Sequence, residues 1–155
     1  MSAVAAGCLG QFLLLATFMT RKTPLPAAAV LRVLSIEDDA GIGQFLQAVL
    51  SANGFLVDVA PDGKEGLARA RRSQPDLIIL DLLMPYKTGF EVLKELRDDP
   101  VTHSVPVIIL SSNNREEDVV KALNAGANDF VIKPFRAREL VARVRKVLSQ
   151  ARVVT

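Results

Sequence analysis

The sequence predicts a doubly wound α/β fold, in which a parallel sheet carries helices on both faces. Three observations predict it. From Val30 onward, five short apolar segments alternate with five amphipathic segments, as parallel β–α units require. The third apolar segment, residues 77–80, contains no polar residue, which indicates a strand buried on both faces. The length of 155 residues suits one domain, and half of the chain is apolar, which is enough for a full core.

The first half of the fold is predicted to contain three strands and two helices. A strand at 30–36 precedes a helix at 40–50, and Asp39 is the expected N-cap of that helix. A second strand follows at 55–60, after Asn53-Gly54. Asp62 with Glu65 forms the capping pair of the next helix, which ends near Ser73 and is followed by the strand at 77–80.

The second half repeats the pattern. A loop at 82–88 leads to Gly89 and a helix at 90–96, and the fourth strand is expected at 105–110. Asn114 with Glu117 is predicted to cap the next helix, which ends at Gly126. A fifth strand at 130–132 and a last helix at 139–148 complete the fold, with Leu140, Val141, Val144 and Leu148 facing the core.

Composition excludes several classes of function. The net charge of +2 arises from mixed signs, so we expect no direct contact with nucleic acid, which needs a concentrated basic face. Cys8 is the single cysteine and His103 the single histidine, which excludes an internal disulfide, a cysteine metal cluster and a histidine metal site. This usage fits a cytoplasmic protein.

The N-terminal segment differs from the rest of the chain. Residues 3–19 are mostly apolar and small, and Arg21 and Lys22 follow them. Three interpretations stay open: an extension or unstructured tail, a membrane tether through residues 3–19, or a processed targeting segment. We therefore expect an N-terminal segment at 1–29, the folded domain at 30–150 and a C-terminal tail at 151–155.

Polar residues follow four of the five predicted strands. Glu37 and Asp38 follow the first strand, Asp81 the third, Ser111 the fourth and Lys133 the fifth. The carboxyl ends of parallel strands lie at one edge of a sheet, where such folds bind their ligands. The sequence therefore predicts a site at this edge.

The residue types at this edge indicate phosphoryl chemistry. Clustered carboxylates repel one another unless a cation intervenes, and Mg²⁺ prefers oxygen ligands and phosphate. A carboxylate can attack phosphorus and form an acyl phosphate, while a metal ion and an ammonium group neutralise the phosphoryl oxygens. Acids, a hydroxyl and an ammonium group are the set that a carboxylate phosphoacceptor needs.

Residues 30–150 resemble the receiver domains of response regulators. The resemblance lies in VLSIEDD at 33–39, LIILDLLMP at 77–85 with Gly89, VPVIILS at 105–111 and AGANDFVIKPF at 125–135. Each motif is weak alone, but together, in this order and spacing, they are specific. The resemblance implies a flavodoxin-like sheet with the strand order 2-1-3-4-5.

The resemblance also implies a role for each site residue. Asp81 would be the phosphoacceptor, and Mg²⁺, or Mn²⁺ as an alternative, would bind to Asp38, Asp81, the backbone carbonyl of Leu83 and, through water, Glu37. Further roles fall to a switch hydroxyl, a switch aromatic, a phosphate-contacting ammonium group and a cis-proline: Ser111, Phe130, Lys133 and Pro134.

The implied function is that of a single-domain response regulator rather than a conventional enzyme. A histidine kinase or histidine phosphotransfer protein would phosphorylate it, and an unknown downstream protein would receive the signal. A homodimer through the fourth helix, fifth strand and fifth helix is a further expectation. Leu83 and Asn113 border the path of attacking water, which leads to the hypothesis of slow self-dephosphorylation.

Two alternatives remain open from the sequence. The first is a phosphorylation-independent interaction module, for which a degenerate site would be the sign; the residues expected at the site are all present. The second is an aspartyl-phosphate phosphatase. Such an enzyme usually carries a second acid two residues after its nucleophile, and Leu83 occupies that position.

Overall fold

The computed structural model describes residues 29–153. Within this range five strands alternate with five helices, so the predicted sequence of elements is confirmed. In chain order they are β1 (Arg32–Ile36), α1 (Ala40–Ala52), β2 (Leu56–Ala60), α2 (Gly63–Ser73), β3 (Leu77–Asp81), α3 (Gly89–Asp98), β4 (Val107–Ser111), α4 (Glu116–Asn124), β5 (Asp129–Ile132) and α5 (Ala137–Val153).

The five strands form one parallel sheet in the order β2-β1-β3-β4-β5, which confirms the fold class and the strand order. The register aligns the carboxyl ends of the central strands. Ile36 pairs with Leu80, Asp81 with Leu110, and Ser111 with Ile132. The residues that follow β1, β3, β4 and β5 therefore start from neighbouring positions at one edge.

The sheet separates two hydrophobic layers, because successive side chains of a strand point to opposite faces. On one face Leu34 and Ile78 pack with residues of α2, α3 and α4. On the other face Val33 and Ile79 pack with residues of α1 and α5. All five residues of β3 and all five of β4 are buried, so the inference of a strand covered on both faces is confirmed for β3.

Side-chain caps begin three of the helices. Asp39 accepts a hydrogen bond from the N–H of Ile42 at 3.0 Å, and Asp62 accepts one from the N–H of Glu65 at 2.8 Å, as predicted. Thr88 forms a reciprocal capping box with Glu91 at the start of α3, which the sequence analysis did not identify. These caps satisfy N–H groups that a helix leaves without partners.

The start of α4 corrects one prediction. Asn114 does not cap this helix; Arg115 occupies the N-cap position and makes no side-chain capping bond. The side chain of Asn113 accepts a hydrogen bond from the N–H of Arg115 at 3.2 Å and donates to Asp118. Asn113 therefore contacts the start of α4 without capping it, and the helix begins at Glu116.

The end of α5 corrects a second prediction. The helix continues to Val153, so residues 151–153 are helical rather than part of a tail. Residues 149–153 contain neither glycine nor proline to end the helix. The membrane tether proposed for residues 3–19 lies outside the described residues. Among the helices of residues 29–153, none has the length and apolar character needed to cross a bilayer.

Candidate functional site

The predicted site residues lie at the carboxyl edge of the sheet. Asp81 is the last residue of β3 and Ser111 the last residue of β4. Glu37 directly follows β1, and Lys133 directly follows β5. The sheet order places β3 beside both β1 and β4, so Asp81 occupies the middle of this edge.

Three carboxylates form a compact acidic cluster. One oxygen each of Glu37, Asp38 and Asp81 lies within 4.8 Å of the other two. Glu37 and Asp81 are buried, whereas Asp38 is exposed. The cluster thus has two oxygen donors inside the protein and one at its surface.

Among the residues that the structure describes, Lys133 supplies the positive charge that pairs with this cluster. Its Nζ atom lies 2.8 Å from Oε2 of Glu37 and 3.3 Å from Oδ2 of Asp81. Burial raises the pKa of Glu37, the hydrogen bond from Lys133 opposes that rise, and the charge of Asp81 adds to it. Burial alone would lower the pKa of Lys133, but the hydrogen bond to Glu37 and the charge of Asp81 raise it overall. Lys133 is therefore held in its charged form.

Backbone N–H groups orient the two buried carboxylates. Oδ1 of Asp81 accepts a hydrogen bond from the N–H of Leu83 at 3.1 Å. Oε1 of Glu37 accepts one from the N–H of Asp39 at 3.2 Å. In each carboxylate one oxygen faces the backbone while the other contacts Lys133. The Leu83 backbone is thus beside Asp81, while its side chain points outward with 57% of its surface exposed.

Gly89 allows α3 to begin close to the acceptor. A Cβ atom at this position would collide with the backbone carbonyl oxygen of Asp81 and with Cα of Leu82. The N–H of Gly89 donates to the carbonyl of Leu82 at 3.0 Å. A side chain at residue 89 would therefore displace the loop that follows Asp81, which explains glycine at this position.

Ser111 and Phe130 stand apart from the ion-paired group. The hydroxyl oxygen of Ser111 is buried and accepts a hydrogen bond from the N–H of Asn113 at 3.0 Å. Phe130 is buried in the hydrophobic layer that contains α2, α3 and α4. The Lys133–Pro134 peptide bond is cis, the isomer expected from the sequence. The structure thus joins Glu37 and Asp81 to Lys133 by ion pairs and places an oxygen of Asp38 within 4.8 Å of both acids. The expected switch residues lie on β4 and β5.

One polar contact at this edge escaped the sequence analysis. The side chain of Asn113 bonds to Asp118 and to the backbone of Arg115, which connects the end of β4 to the first turn of α4. Asn113 and Asn114 are adjacent, and the Asn114–Glu117 spacing matches a capping box. The capping-box spacing therefore favoured Asn114, whereas Asn113 is the asparagine that contacts α4.

The donor set fits a small divalent cation. Three carboxylates face a single ammonium group among the described residues of the cluster, so their charge is not balanced when all three are ionised. Mg²⁺ takes oxygen ligands and is commonly held by one or two carboxylates together with phosphate and water. An exposed carboxylate beside buried ones leaves room for those further ligands.

Comparisons with known proteins agree with this geometry. The protein-family model described as the response regulator receiver domain matches residues 33–145 of this chain. The transcriptional regulatory protein PcoR of Escherichia coli is 41% identical over 121 residues, which cover 78% of this chain and 53% of PcoR. The DNA-binding response regulator MtrA of Mycobacterium tuberculosis is 41% identical over 114 residues, which cover 74% of this chain and 49% of MtrA.

Solved structures give the same result. The chemotaxis protein CheY4 of Vibrio cholerae superimposes with a TM-score of 0.74 at 32% sequence identity, covering 77% of this chain and 99% of CheY4. The chain spans about half the length of the curated relatives PcoR and MtrA, which share its receiver region. The matched region includes every residue of the acidic cluster and Lys133. The chain therefore belongs to the response regulator receiver domain family, whose members are phosphoacceptor domains of two-component signalling.

Proposed function

We propose that this receiver accepts a phosphoryl group on Asp81 from a histidine kinase or a histidine phosphotransfer protein. One observation carries the proposal: the carboxylate of Asp81 lies 3.3 Å from the ammonium group of Lys133 and within 4.8 Å of two further acids. A carboxylate that merely ends a strand does not require a nearby ammonium group and two further acids. A carboxylate nucleophile that accepts a phosphoryl group does require them.

In the proposed reaction an oxygen of Asp81 attacks the phosphorus of a phosphohistidine. The new O–P bond forms while the N–P bond breaks, and the electron pair returns to the imidazole nitrogen of the donor. Lys133 would neutralise negative charge on the phosphoryl oxygens, because its ammonium group is already fixed beside Asp81. The N–H of Leu83 holds the carboxylate in position.

A bound Mg²⁺ ion, or Mn²⁺ as an alternative, would neutralise further charge on the phosphoryl oxygens. Asp38, Asp81 and the backbone carbonyl of Leu83 would hold the ion directly, and Glu37 would do so through water. Glu37 and Asp38 would thereby serve binding rather than bond formation. The three acids of the cluster thus divide into one nucleophile, Asp81, and two supporting acids, Glu37 and Asp38.

The signal would leave the site through Ser111 and Phe130. A phosphoryl group on Asp81 adds charge at the strand edge, and Ser111 would turn toward it as a hydrogen-bond donor. Phe130 would then reorient within the layer that it shares with α4. A local change of charge of this kind biases a two-state element, here the face formed by α4, β5 and α5.

Output would pass through protein contacts on that face. Val120 and Leu123 of α4 and Ile132 of β5 are exposed apolar residues there, which suits a homodimer or another protein partner. PcoR is named a transcriptional regulator and MtrA a DNA-binding one. We propose that the receiver itself acts by protein contacts, and that contact with DNA belongs to a different domain or partner.

Intact-mass measurement tests the proposal. The chain is incubated with acetyl phosphate and Mg²⁺, and the wild type should gain the mass of one phosphoryl group. Asp81→Asn should gain none. Asp39→Asn is the matched control, because Asp39 is a neighbouring acid that caps α1 and asparagine caps equally well; it should gain the same mass as the wild type. An unlabelled wild type, or a labelled Asp81→Asn, would overturn the proposal.

A further inference from the structure

Helix α4 is attached to the domain by little buried surface. Among its nine described residues only Ala122 is buried, while Val120 and Leu123 keep 48% and 45% of their surface exposed. Helix α5, by comparison, buries Leu140, Val141, Val144, Val147 and Leu148. A segment with few buried apolar contacts moves at low cost in free energy. The polar contacts at the two ends of α4 therefore have a large share in fixing its position.

A chain of hydrogen bonds connects Ser111 to the first turn of α4. The N–H of Asn113 donates to the hydroxyl oxygen of Ser111 at 3.0 Å. The side-chain amide of the same asparagine donates to Oδ2 of Asp118. Its side-chain oxygen accepts from the N–H of Arg115 at 3.2 Å. One residue, Asn113, thus contacts both the hydroxyl of β4 and the start of α4.

This bridge replaces a conventional helix cap. Arg115 stands at the N-cap position without a side-chain capping bond. The first turn contains Glu116, Glu117 and Asp118, whose charges favour a helix start. Of these three acids, Asp118 is the one that bonds to Asn113 and lies 3.6 Å from the guanidinium of Arg115. The start of α4 therefore depends on a residue outside the helix.

The other end of α4 is fixed independently of Ser111. The guanidinium of Arg97 in α3 donates to the carbonyl of Gly126 at 2.8 and 3.1 Å, just beyond the helix. It also donates to the carbonyl of Val105 at 2.9 Å. The ammonium of Lys121 lies 4.2 Å from the centre of the Phe90 ring. These contacts hold the later part of α4 against α3.

We propose that the Asn113–Asp118 bridge couples Ser111 to α4. When the hydroxyl of Ser111 turns to donate to a phosphoryl oxygen, its bond with the N–H of Asn113 changes, and the bridge to Asp118 is strained or broken. The first turn of α4 is then released, while its later part stays attached to Arg97 and Phe90. This inference rests on the proposed phosphorylation of Asp81.

Hydrogen exchange of the amides in residues 115–124 tests the coupling. The wild type, Asp118→Ala and Glu117→Ala are each measured with and without acetyl phosphate and Mg²⁺. Glu117→Ala is the matched control, since it removes the same charge from the same helical turn without touching the bridge. Phosphorylation should speed exchange at the start of α4 in the wild type about tenfold, the effect of one lost hydrogen-bonded contact. Intact mass records the label in parallel.

In Asp118→Ala exchange should be fast before phosphorylation and change by less than about twofold afterwards, although Asp81 is fully labelled. Glu117→Ala should respond as the wild type does. The coupling is overturned if labelled Asp118→Ala still shows the wild-type response, or if labelled wild type shows none. Absence of label on the wild type would instead overturn the proposed function, so the two failures are distinguishable.

Discussion

The ammonium nitrogen of Lys133 lies 3.3 Å from Oδ2 of Asp81, although 52 positions separate the two residues in the sequence. Parallel pairing of β3 with β4 and of β4 with β5 makes this contact, because it aligns the ends of three strands. The side chains are only 14% and 5% exposed, so solvent screens the pair weakly. Asp81 is thus held beside a cation before a phosphoryl group arrives.

Removal of the charge of Lys133 should destabilise the fold. In Lys133→Met two buried carboxylates lose their cation, and we expect the free energy of unfolding at pH 7 without Mg²⁺ to fall by about 3 kcal/mol. Urea denaturation measures this change. Added Mg²⁺ should restore part of the loss, because it supplies the missing positive charge. Lys94→Met, which breaks an exposed pair with Asp98, should leave stability unchanged. Equal stability of Lys133→Met and the wild type would contradict this account.

On acidification, the affinity for Mg²⁺ should begin to fall at a higher pH than it would if the titrating group were an ordinary glutamate. Burial raises the pKa of Glu37 above its usual 4.5, so this carboxyl group keeps its proton to a higher pH. Protonation removes a negative charge from the cluster and weakens cation binding. Calorimetric titration should therefore show affinity falling as pH is lowered through the raised pKa.

The Glu37→Gln variant distinguishes protonation of Glu37 from protonation of the other acids of the cluster. The variant should bind Mg²⁺ about tenfold more weakly at pH 7 and lose less affinity on acidification, because the titrating group is gone. Asp39→Asn should keep the wild-type pH dependence. If the wild type and Glu37→Gln lost affinity in parallel, Glu37 would not be the group responsible.

A buried hydroxyl in β1 offers a test of the core. Ser35 is fully buried between Val59 and Ile79 of the neighbouring strands, and its hydroxyl oxygen has no hydrogen-bond partner among the described residues. A buried polar atom without a partner lowers stability. Ser35→Ala should therefore raise the free energy of unfolding by about 1 kcal/mol, as measured by urea denaturation. Ser111→Ala should have the opposite sign, because the hydroxyl of Ser111 accepts a bond from Asn113.

Leu83 leads to a prediction about the lifetime of the phosphorylated state. Its backbone N–H bonds to Asp81 and its side chain is exposed, and an apolar side chain offers no hydrogen bond to an attacking water molecule. We expect slow self-dephosphorylation, and faster loss of phosphate in Leu83→Asn, whose amide can position water. The decay of the phosphorylated mass with time measures both. Loss within seconds from the wild type would refute the expectation.

The fold and the grouping of the candidate site residues at one edge of the sheet could be predicted from the sequence for the same reason. Asp81 ends an uninterrupted apolar strand, and Glu37, Ser111 and Lys133 stand at comparable strand ends. In a parallel sheet this position alone brings side chains to one edge. The strand order came from the family resemblance, since the pattern of apolar residues does not determine which strands are neighbours.

The errors arose where tertiary contacts decide between similar local signals. Asn113 and Asn114 are adjacent and chemically identical, and it is Asn113 that contacts both Ser111 and the start of α4. Thr88 and Glu91 have capping-box spacing, but Thr88 falls inside the loop predicted at 82–88. The last helix runs past its predicted end because no residue stops it. The hydrogen bond between Asn113 and Asp118 spans five positions, and no local sequence motif predicts it.

Chemical trapping tests the central claim most directly. The chain is phosphorylated with acetyl phosphate and Mg²⁺, treated with borohydride, which reduces an acyl phosphate to an alcohol, and sequenced by tandem mass spectrometry. The account predicts homoserine at position 81, with the acids at 37, 38 and 39 intact. Homoserine at another acid, with Asp81 unmodified, would contradict it.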